Sequence, residues 1–437
     1  LAKIIIIGAG AAGLMAAGAA VRHGHSVTLL EHTDKPGQKL LITGKGRCNV
    51  TNACGEEEFL RHVRTNPRFL YSSLYAFPPT RTMELFESLG VPLKTERGRR
   101  VFPVSDRAED IRQALLRYAQ GAQIVYDDAK SLLLEPLAAP LEATGEAAEN
   151  NKKTKKSAKA KGPLSVCRGV RTASGREYRA DAVLVATGGL SYQVTGSTGD
   201  GYRLARQAGH TITEPVPSLV SLVSSDPDCK KMMGLALKNV QLTLLEDARP
   251  IFAEQGEMLF THFGISGPLT LSASSHLGDM KKHRYTAEID LKPALSEEQL
   301  YERITRDFAL LANHAAQGAL VKLLPASMQP VMVQRWGIDP ATRANQITRE
   351  QKKELVRLCK HWAVPITARG DLAHAVITSG GVSVREVDPK TMQSKKAQGL
   401  YFAGEVLDVD CYTGGYNLQV AFCTAQSFAA NLAEAQA

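Results

Sequence analysis

From Lys3 to Ile7 every position after the first is apolar, the pattern of a short strand buried on both faces. Gly8-Ala-Gly10-Ala11-Ala12-Gly13 breaks the run, Leu14 to His23 resumes it with helical spacing, and Ser26 to Leu30 forms a second apolar strand ending on Glu31. Strand, glycine turn, helix and strand in this order predict one half of a nucleotide-binding βαβ unit. Ile4 to Val21 is uncharged and could pass for a membrane span or signal sequence. Gly8, Gly10, Gly13 and Gly18 weaken that reading, as does the polar segment with strand character that follows. Leu1 in place of Met reads as a start trimmed of a few residues.

Residues 57–118 predict helices, with Leu70, Leu74 and Phe77 and then Leu85 and Leu89 on apolar faces, broken by a cation-rich hairpin or loop at 96–106. Gln123 to Glu135 and Leu164 to Arg171 read as strands. Arg179 to Gly189 reads as a buried strand running into a diglycine, and Gly196 to Gly201 as the lead into a helix over Tyr202 to Ala208. From 215 the pattern shifts to short alternating runs, such as Val240 to Leu245 and Tyr285 to Leu291, which predict an antiparallel barrel or sandwich. Within it Ser266 is expected to cap a helix whose first turn holds Pro268. The expected fold class is α/β. A Rossmann-like nucleotide-binding domain, residues 1–214 and 371–437, is interrupted by an inserted β-barrel domain at 215–295 and a small helical domain at 296–370.

The glycine turn carries the first chemistry. Gly8 lets the chain leave the strand sharply, Gly10 leaves room for a pyrophosphate against bare backbone, and Gly13 lets the helix approach closely. Amides of Ala11, Ala12 and Gly13 at the helix start suit phosphate, and Glu31 suits the ribose hydroxyls. The polar loop 35–52, containing Gly44-Lys-Gly46, permits close backbone approach to a ligand; the plainer reading is a solvated connection.

Composition adds compartment and charge. The chain has 437 residues, 44% hydrophobic and 22% charged, which is ordinary for a soluble globular protein of two or three cores. Its seven cysteines form no C-x-x-C pair and no Cys/His set at zinc spacing, so a cytoplasmic protein without a structural metal is expected. The net charge is +9, of which the 136–162 excursion and its flanking Glu135 contribute only +2 through six lysines and four glutamates. The excursion reads as a solvent-exposed linker, and the remaining basicity is spread along the chain, which hints at an anionic partner.

The chain returns to the nucleotide-binding fold near residue 190 and again at its end, as a protein gripping a long flavin along its whole length requires. Gly404-Glu405 suits ribityl or pyrophosphate contacts. Gly414-Gly415-Tyr416-Asn417 at a helix start would set backbone amides and the helix dipole against the flavin N1/C2=O edge.

These stretches carry a resemblance. Gly8 to Gly13 with Glu31, Gly46-Arg-Cys-Asn-Val-Thr-Asn52, Gly98-Arg-Arg-Val-Phe-Pro103, Ala186-Thr-Gly-Gly189 with Gly196 to Gly201, Phe260 to Pro268, Thr378 to Gly381 and Gly399 to Gln419 resemble the HI0933-like (BaiN-like) bacterial flavoproteins. The resemblance implies FAD in a glutathione-reductase-type domain, with the 46–52 loop and residues 410–418 approaching the isoalloxazine ring. With the motifs it gives a cofactor set of Gly8, Gly10, Ala11, Ala12, Gly13, Glu31, His32, Lys39, Gly46, Arg47, Cys48, Asn49, Thr51, Ala129, Thr187, Gly188, Gly189, Gly404, Glu405, Asp410, Gly414, Gly415, Asn417 and Leu418.

Members of that family are linked to reduction of a uridine in large-subunit ribosomal RNA, to bile-acid oxidoreduction and to oxidation of a small aminoketone. The spread positive charge favours the RNA reaction: NADH or NADPH as transient reductant, hydride from flavin N5 to uracil C6, and a protein acid protonating C5. The alternatives are a small-molecule flavin oxidoreductase and a non-enzymatic FAD-binding module.

For the proton donor, Cys48, Cys411, Tyr412 and His262 are candidates. Each has a plainer reading, as an inert buried thiol, a pocket-lining side chain or a hydrogen-bonded structural histidine. Arg97, Arg99, Arg100, Phe102 and Ser266 are candidates for substrate contact. Arg61, Arg64 and Arg68, interleaved with Phe69, Tyr71 and Tyr75, could serve RNA phosphates and bases. Tyr71 and Tyr75, four apart, read rather as helix-core aromatics beside solvated arginines.

Overall fold

The computed structural model describes residues 1–137 and 162–434, so the Lys-rich run 151–161 lies outside the described residues. The chain divides into two compact units, residues 1–216 with 377–437, and residues 217–376.

In the first unit the strand Lys3–Ile7 lies at the centre of a five-stranded parallel sheet. Ser26–Glu31 and then Gln123–Tyr126 extend it on one side, Ala182–Val185 and then Leu400–Phe402 on the other. A parallel sheet covered on both faces needs continuous apolar strands, and Ile4 to Ile7 and Ala182 to Val185 are buried throughout. The helix Ala11–Arg22 buries every residue from Ala12 to Ala20. It packs between the helix Ala108–Tyr118 and the closing helix Tyr416–Glu434. The uncharged run at 4–21 is therefore a core strand and helix, and no described helix is long and apolar enough to cross a membrane.

The stretch 123–135, expected as one strand, is two. Gln123–Tyr126 joins the parallel sheet, while Ala129–Pro136 pairs antiparallel with Ser165–Thr172 in a different sheet. The break falls at Asp127, whose carboxylate accepts from Asp128 N at 2.9 Å and Ser174 Oγ at 2.5 Å. An aspartate that bonds its own following backbone favours a turn over a continuing ladder.

In the second unit seven antiparallel strands pair in the order Trp362–Ile366, Tyr285–Asp290, Ala236–Glu246, Arg249–Thr261, Gly264–Ser266, Leu222–Val223 and Ala368–Arg369. The antiparallel character matches the alternating pattern; among the described residues the pairings form an open path, not a closed barrel. Asp247 and Ala248, both at positive φ (48° and 66°), turn the central hairpin, as a two-residue connection matched to strand twist requires. The helices Glu297–Leu310, Gln329–Trp336 and Arg349–Lys360 share one core with this sheet, through Phe308, Met332, Leu355 and Trp362. Capping boxes at Ser296 and Thr348 start the first and third of them.

Candidate functional site

The site is built at the carboxyl end of the parallel sheet, where open α/β sheets place their ligands. The helix Ala11–Arg22 starts from Gly10 with no side-chain cap, so the amides of its first turn are served by no side chain there. A Cβ on Gly10 would meet nothing within 4 Å, whereas one on Gly13 would lie 1.9 Å from the Gly8 carbonyl oxygen. Gly13 thus closes the turn on itself, and Gly10 keeps a space in front of bare amides.

Glu31 is buried at the end of its strand and already at work. Its Oε2 accepts from Ala9 N at 2.8 Å, and its Oε1 accepts from Thr33 N and Thr33 Oγ1, both at 2.8 Å. Three of about four lone-pair positions are occupied, leaving one for a ligand hydroxyl. Beside it His32 Nε2 donates to Gly196 O at 2.9 Å, and Ala129 is buried with its carbonyl accepting from Arg203.

A second group ties the sheet to the loop after Glu31. Lys39 Nζ donates to Glu405 Oε2 and to Ser191 Oγ, each at 2.7 Å. Glu405 Oε1 accepts from Ser191 Oγ at 2.8 Å and Thr378 N at 2.9 Å. Thr378 Oγ1 in turn accepts from Leu190 N at 2.7 Å and Ser191 N at 3.0 Å. Burial opposes the charge on Glu405, but the Lys39 ammonium and these hydrogen bonds outweigh it and hold the carboxyl below its ordinary range. The packing is tight: a Cβ on Gly189 would meet Thr378 Oγ1 at 2.4 Å, and one on Gly404 would meet the Ala12 Cβ at 2.9 Å. Ser191 and Thr378 lie 187 residues apart, and no spacing rule could have joined them to Lys39 and Glu405.

The third group surrounds Gly414 and Gly415. Asn52 Nδ2 donates to Gly414 O and Gly98 O, both at 3.0 Å, and Asn417 clamps the loop through Cys411 N at 3.0 Å, Cys411 O at 3.1 Å and Tyr412 O at 3.2 Å. A Cβ on Gly415 would lie 2.3 Å from Thr51 O, so the diglycine presses against the strand Thr51–Asn52. The Thr51 hydroxyl itself faces inward and donates to Gln419 Oε1 at 2.7 Å. Leu418 is half-buried in the first turn of the closing helix. Asp410 is buried and bonded by Ser379 Oγ at 3.0 Å, its carboxyl pushed up by burial.

The proposed proton donors differ in setting. Cys48 is fully buried at positive φ, and burial pushes its thiol up to about 12; Cys411 is fully buried and raised well above the usual thiol range for the same reason. Tyr412 is half-buried, its backbone N–H on His62 O at 3.0 Å and its ring edge-on to His62 at 5.9 Å. His262 is exposed in the second unit, edge-on to Phe263 at 4.9 Å. Ser266 is not a helix cap. It is the last residue of its strand, paired with Leu259 and sharing a 2.7 Å hydrogen bond with the Ser221 hydroxyl, and Gly267 at φ 94° starts the helix Pro268–Ser274 instead.

Among the arginines, Arg47 pairs with Glu96 and Asp106 and lies 4.1 Å from the centre of the Phe102 ring, so its charge is locally spent. Arg99 pairs with Glu58 at 2.5 Å. Arg100 donates to Arg97 O at 3.0 Å with its guanidinium 5.9 Å from the buried Phe102 ring, and Arg97 is exposed with no ion pair among the described residues. Tyr71 and Tyr75 are not core aromatics: they are 56% and 42% exposed and stack on each other, because Leu70, Ser73 and Leu74 occupy the buried face of the helix Tyr71–Ala76. His32, Asp128 and Asp200 bring ligand atoms within 4.8 Å of one another, a set that no zinc-type spacing in the sequence reveals. Asp200 is bonded there by Thr198 and Arg203, and Asp128 by Lys130.

Open space at Gly10, an uncapped helix start, and the buried, unpartnered Asn49 Oδ1 and Thr187 Oγ1 are features that an extended dinucleotide would fill. The family model, of a Rossmann domain, agrees with that class of ligand. The family model of the HI0933-like protein Rossmann domain matches residues 2–134 and 125–431. A 3-dehydro-bile acid delta(4,6)-reductase of Clostridium scindens is 32% identical over 97% of this chain and 97% of its own length. A ribosomal RNA dihydrouridine synthase of Haemophilus influenzae is 30% identical over 98% of each, and its Escherichia coli counterpart 28% over 99% of this chain and 98% of its own. Among solved structures, a 3-ketosteroid delta1-dehydrogenase of Sterolibacterium denitrificans aligns over 99% of both chains at 14% identity with a TM-score of 0.48. The chain belongs to the HI0933-like family, and it is a Rossmann-fold, flavin-dependent oxidoreductase.

Proposed function

We propose that the first unit holds FAD from Glu31 to the diglycine, and that the protein uses NADH or NADPH to reduce a uridine of large-subunit ribosomal RNA to dihydrouridine in the cytoplasm. On this reading the amides of Ala11 to Gly13 meet the pyrophosphate across the space at Gly10, and Glu31 takes a ribose hydroxyl. Asn49 and Thr187 gain partners for their orphaned oxygens, and the start of the closing helix faces the ring system. Bound FAD supplies the hydride chemistry. Lys39, Ser191 and Thr378 keep Glu405 ionised and fixed. Tyr412, half-buried, is more open to a substrate than the fully buried Cys48 and Cys411 and is the proton donor to C5 on this reading.

The observation that carries the RNA reading is the cationic rim of the diglycine. One Asn52 amide joins Gly414 to Gly98, whose chain neighbour Arg97 is exposed, and Arg64, also exposed, donates its backbone N–H to Asp410 O at 2.8 Å. A polyanion fits such a rim; a sterol needs an enclosed apolar pocket. The second reading, a small-molecule enone reductase, is favoured by the 32% identity to the bile-acid enzyme.

The test replaces Arg97, Arg99 and Arg100 by serine and measures flavin reduction by NADH or NADPH and RNA binding separately. Flavin reduction is expected to survive, while RNA affinity falls several-fold and the salt slope shrinks by about 0.7 for each phosphate that is no longer neutralised. Wild-type protein that binds no RNA at low salt would shift the assignment to the small-molecule reaction.

A further inference from the structure

The stretch 62–71 leads from the diglycine loop to the protein surface. Its first part is strapped to that loop. His62 O accepts from Tyr412 N at 3.0 Å, Val63 bridges to Cys411, Arg64 N donates to Asp410 O, and Asn66 Nδ2 donates to Asp408 O at 2.7 Å. The chain then turns through Pro67–Leu70 into the helix Tyr71–Ala76, which buries Phe69, Leu70, Ser73 and Leu74. The helix's exposed side carries Tyr71 and Tyr75, four residues apart, and the turn before it carries the exposed Arg68.

The two tyrosine rings stack with centroids 4.5 Å apart and planes 24° apart, at 56% and 42% exposure. The pair stabilises itself by stacking, yet Tyr71 at 56% and Tyr75 at 42% exposure still present aromatic surface to solvent that a ligand could cover. Charge along the stripe is graded. Glu56 and Glu57 act on the Tyr75 end, whereas Arg68, three residues before Tyr71, is exposed and holds no ion pair among the described residues. Beyond Arg68 lies Arg64, whose charge acts on Asp410.

We propose that Tyr71, supported by Tyr75, is a stacking platform for a nucleobase of single-stranded RNA, with Arg68 and Arg64 taking the phosphates that lead from it toward the diglycine. This rests on the ribosomal RNA reading and adds where the strand beside the reacting uridine lies. A base edited inside an RNA must leave its stack, and its neighbours then lose stacking that exposed aromatic rings can replace. The exposed position of the rings suits a base, which needs one flat face, and not a sterol, which needs enclosure.

Binding of a fluorescent single-stranded RNA oligonucleotide to the FAD-loaded full chain tests the assignment, with an abasic oligonucleotide of equal length and charge as the second probe. Tyr71→Ala with Tyr75→Ala is expected to weaken RNA binding by on the order of tenfold, to leave abasic binding unchanged and to keep the salt slope. Tyr71→Phe should bind as wild type does. Arg68→Ser should instead weaken both probes and lower the slope by about 0.7. The rings lie outside the core, so every variant should fold and keep its flavin, with only the double alanine variant losing the stacking contribution and melting slightly lower. Equal RNA affinity in the double alanine variant and wild type, or equal losses on both probes, would overturn the platform while leaving the RNA reaction standing. Failure of wild type to bind RNA at low salt would overturn both.

Discussion

Gly10 and Gly13 sit three residues apart in one turn, yet the structure assigns them opposite duties, and alanine at each should separate ligand binding from folding. At Gly13 the new Cβ would lie 1.9 Å from the Gly8 carbonyl oxygen and 3.4 Å from Ile6 Cγ2. Ordinary contact needs about 3.4 Å, so helix and turn must part by roughly 1.5 Å in a packed core, at a cost of about 1–3 kcal/mol or more. At Gly10 the Cβ would meet nothing within 4 Å, and φ −81° with ψ −166° is open to any residue. The lost preference for glycine at a helix cap and the lower entropy of the unfolded chain partly cancel there, leaving a change within about 1 kcal/mol. The assay is thermal unfolding of flavin-free protein beside FAD titration followed by flavin fluorescence. Gly13→Ala should lower the melting temperature by several degrees. Gly10→Ala should melt within a degree or two of wild type yet bind FAD at least tenfold more weakly, and Gly10→Val should abolish binding. Unaltered FAD affinity in Gly10→Ala would refute the assignment of that space to the pyrophosphate.

Three further outcomes follow from the same structure. His210, bonded to Ser394 Oγ at 2.7 Å with Glu386 and Lys396 nearby, is held by burial to about 4 against an ordinary 6.5. The folded state thus resists its protonation, so stability is full above about pH 6.5 and is lost as pH falls toward 4, by up to roughly 3 kcal/mol. His210→Gln should flatten that part of the pH profile in denaturant titrations, and an unchanged profile would rule this source out. Lys39→Met leaves Glu405 without its cation and should cost about 1–3 kcal/mol for a pair roughly one-fifth exposed, with Glu405→Gln in the same chain restoring part of the loss in a double-mutant cycle. Replacing residues 138–161 by a short turn should leave folding and flavin content intact, because Leu137 N already donates to Leu164 O at 3.1 Å and the two strand ends lie side by side; an insoluble product would show that the replaced segment is structural.

The βαβ unit was legible because burial on both faces writes a strand as an unbroken apolar run and because glycine spacing reports close backbone approach directly. Even there the helix begins at Ala11, three residues before the apolar pattern suggested, since a glycine cap leaves no polar signal. The Lys39–Ser191–Thr378–Glu405 group was half visible: Lys39 and Glu405 drew notice within local motifs, but their pairing spans 366 residues and is set by the order of strands in the sheet. Tyr71 and Tyr75 show the limit of periodicity. A spacing of four places two residues on one face without saying which face is buried, and here Leu70 and Leu74, at the same spacing, took the core. At Ser266 a serine before Gly-Pro imitated a cap, but strand pairing with Leu259 claimed it first.

The most direct test of the account is mass-spectrometric nucleoside analysis of large-subunit ribosomal RNA from cells with and without this protein. Loss of dihydrouridine from one position in its absence, restored by the wild-type chain and not by Gly10→Val, is the predicted result. Unchanged dihydrouridine in the RNA of cells lacking the protein would contradict the RNA reaction.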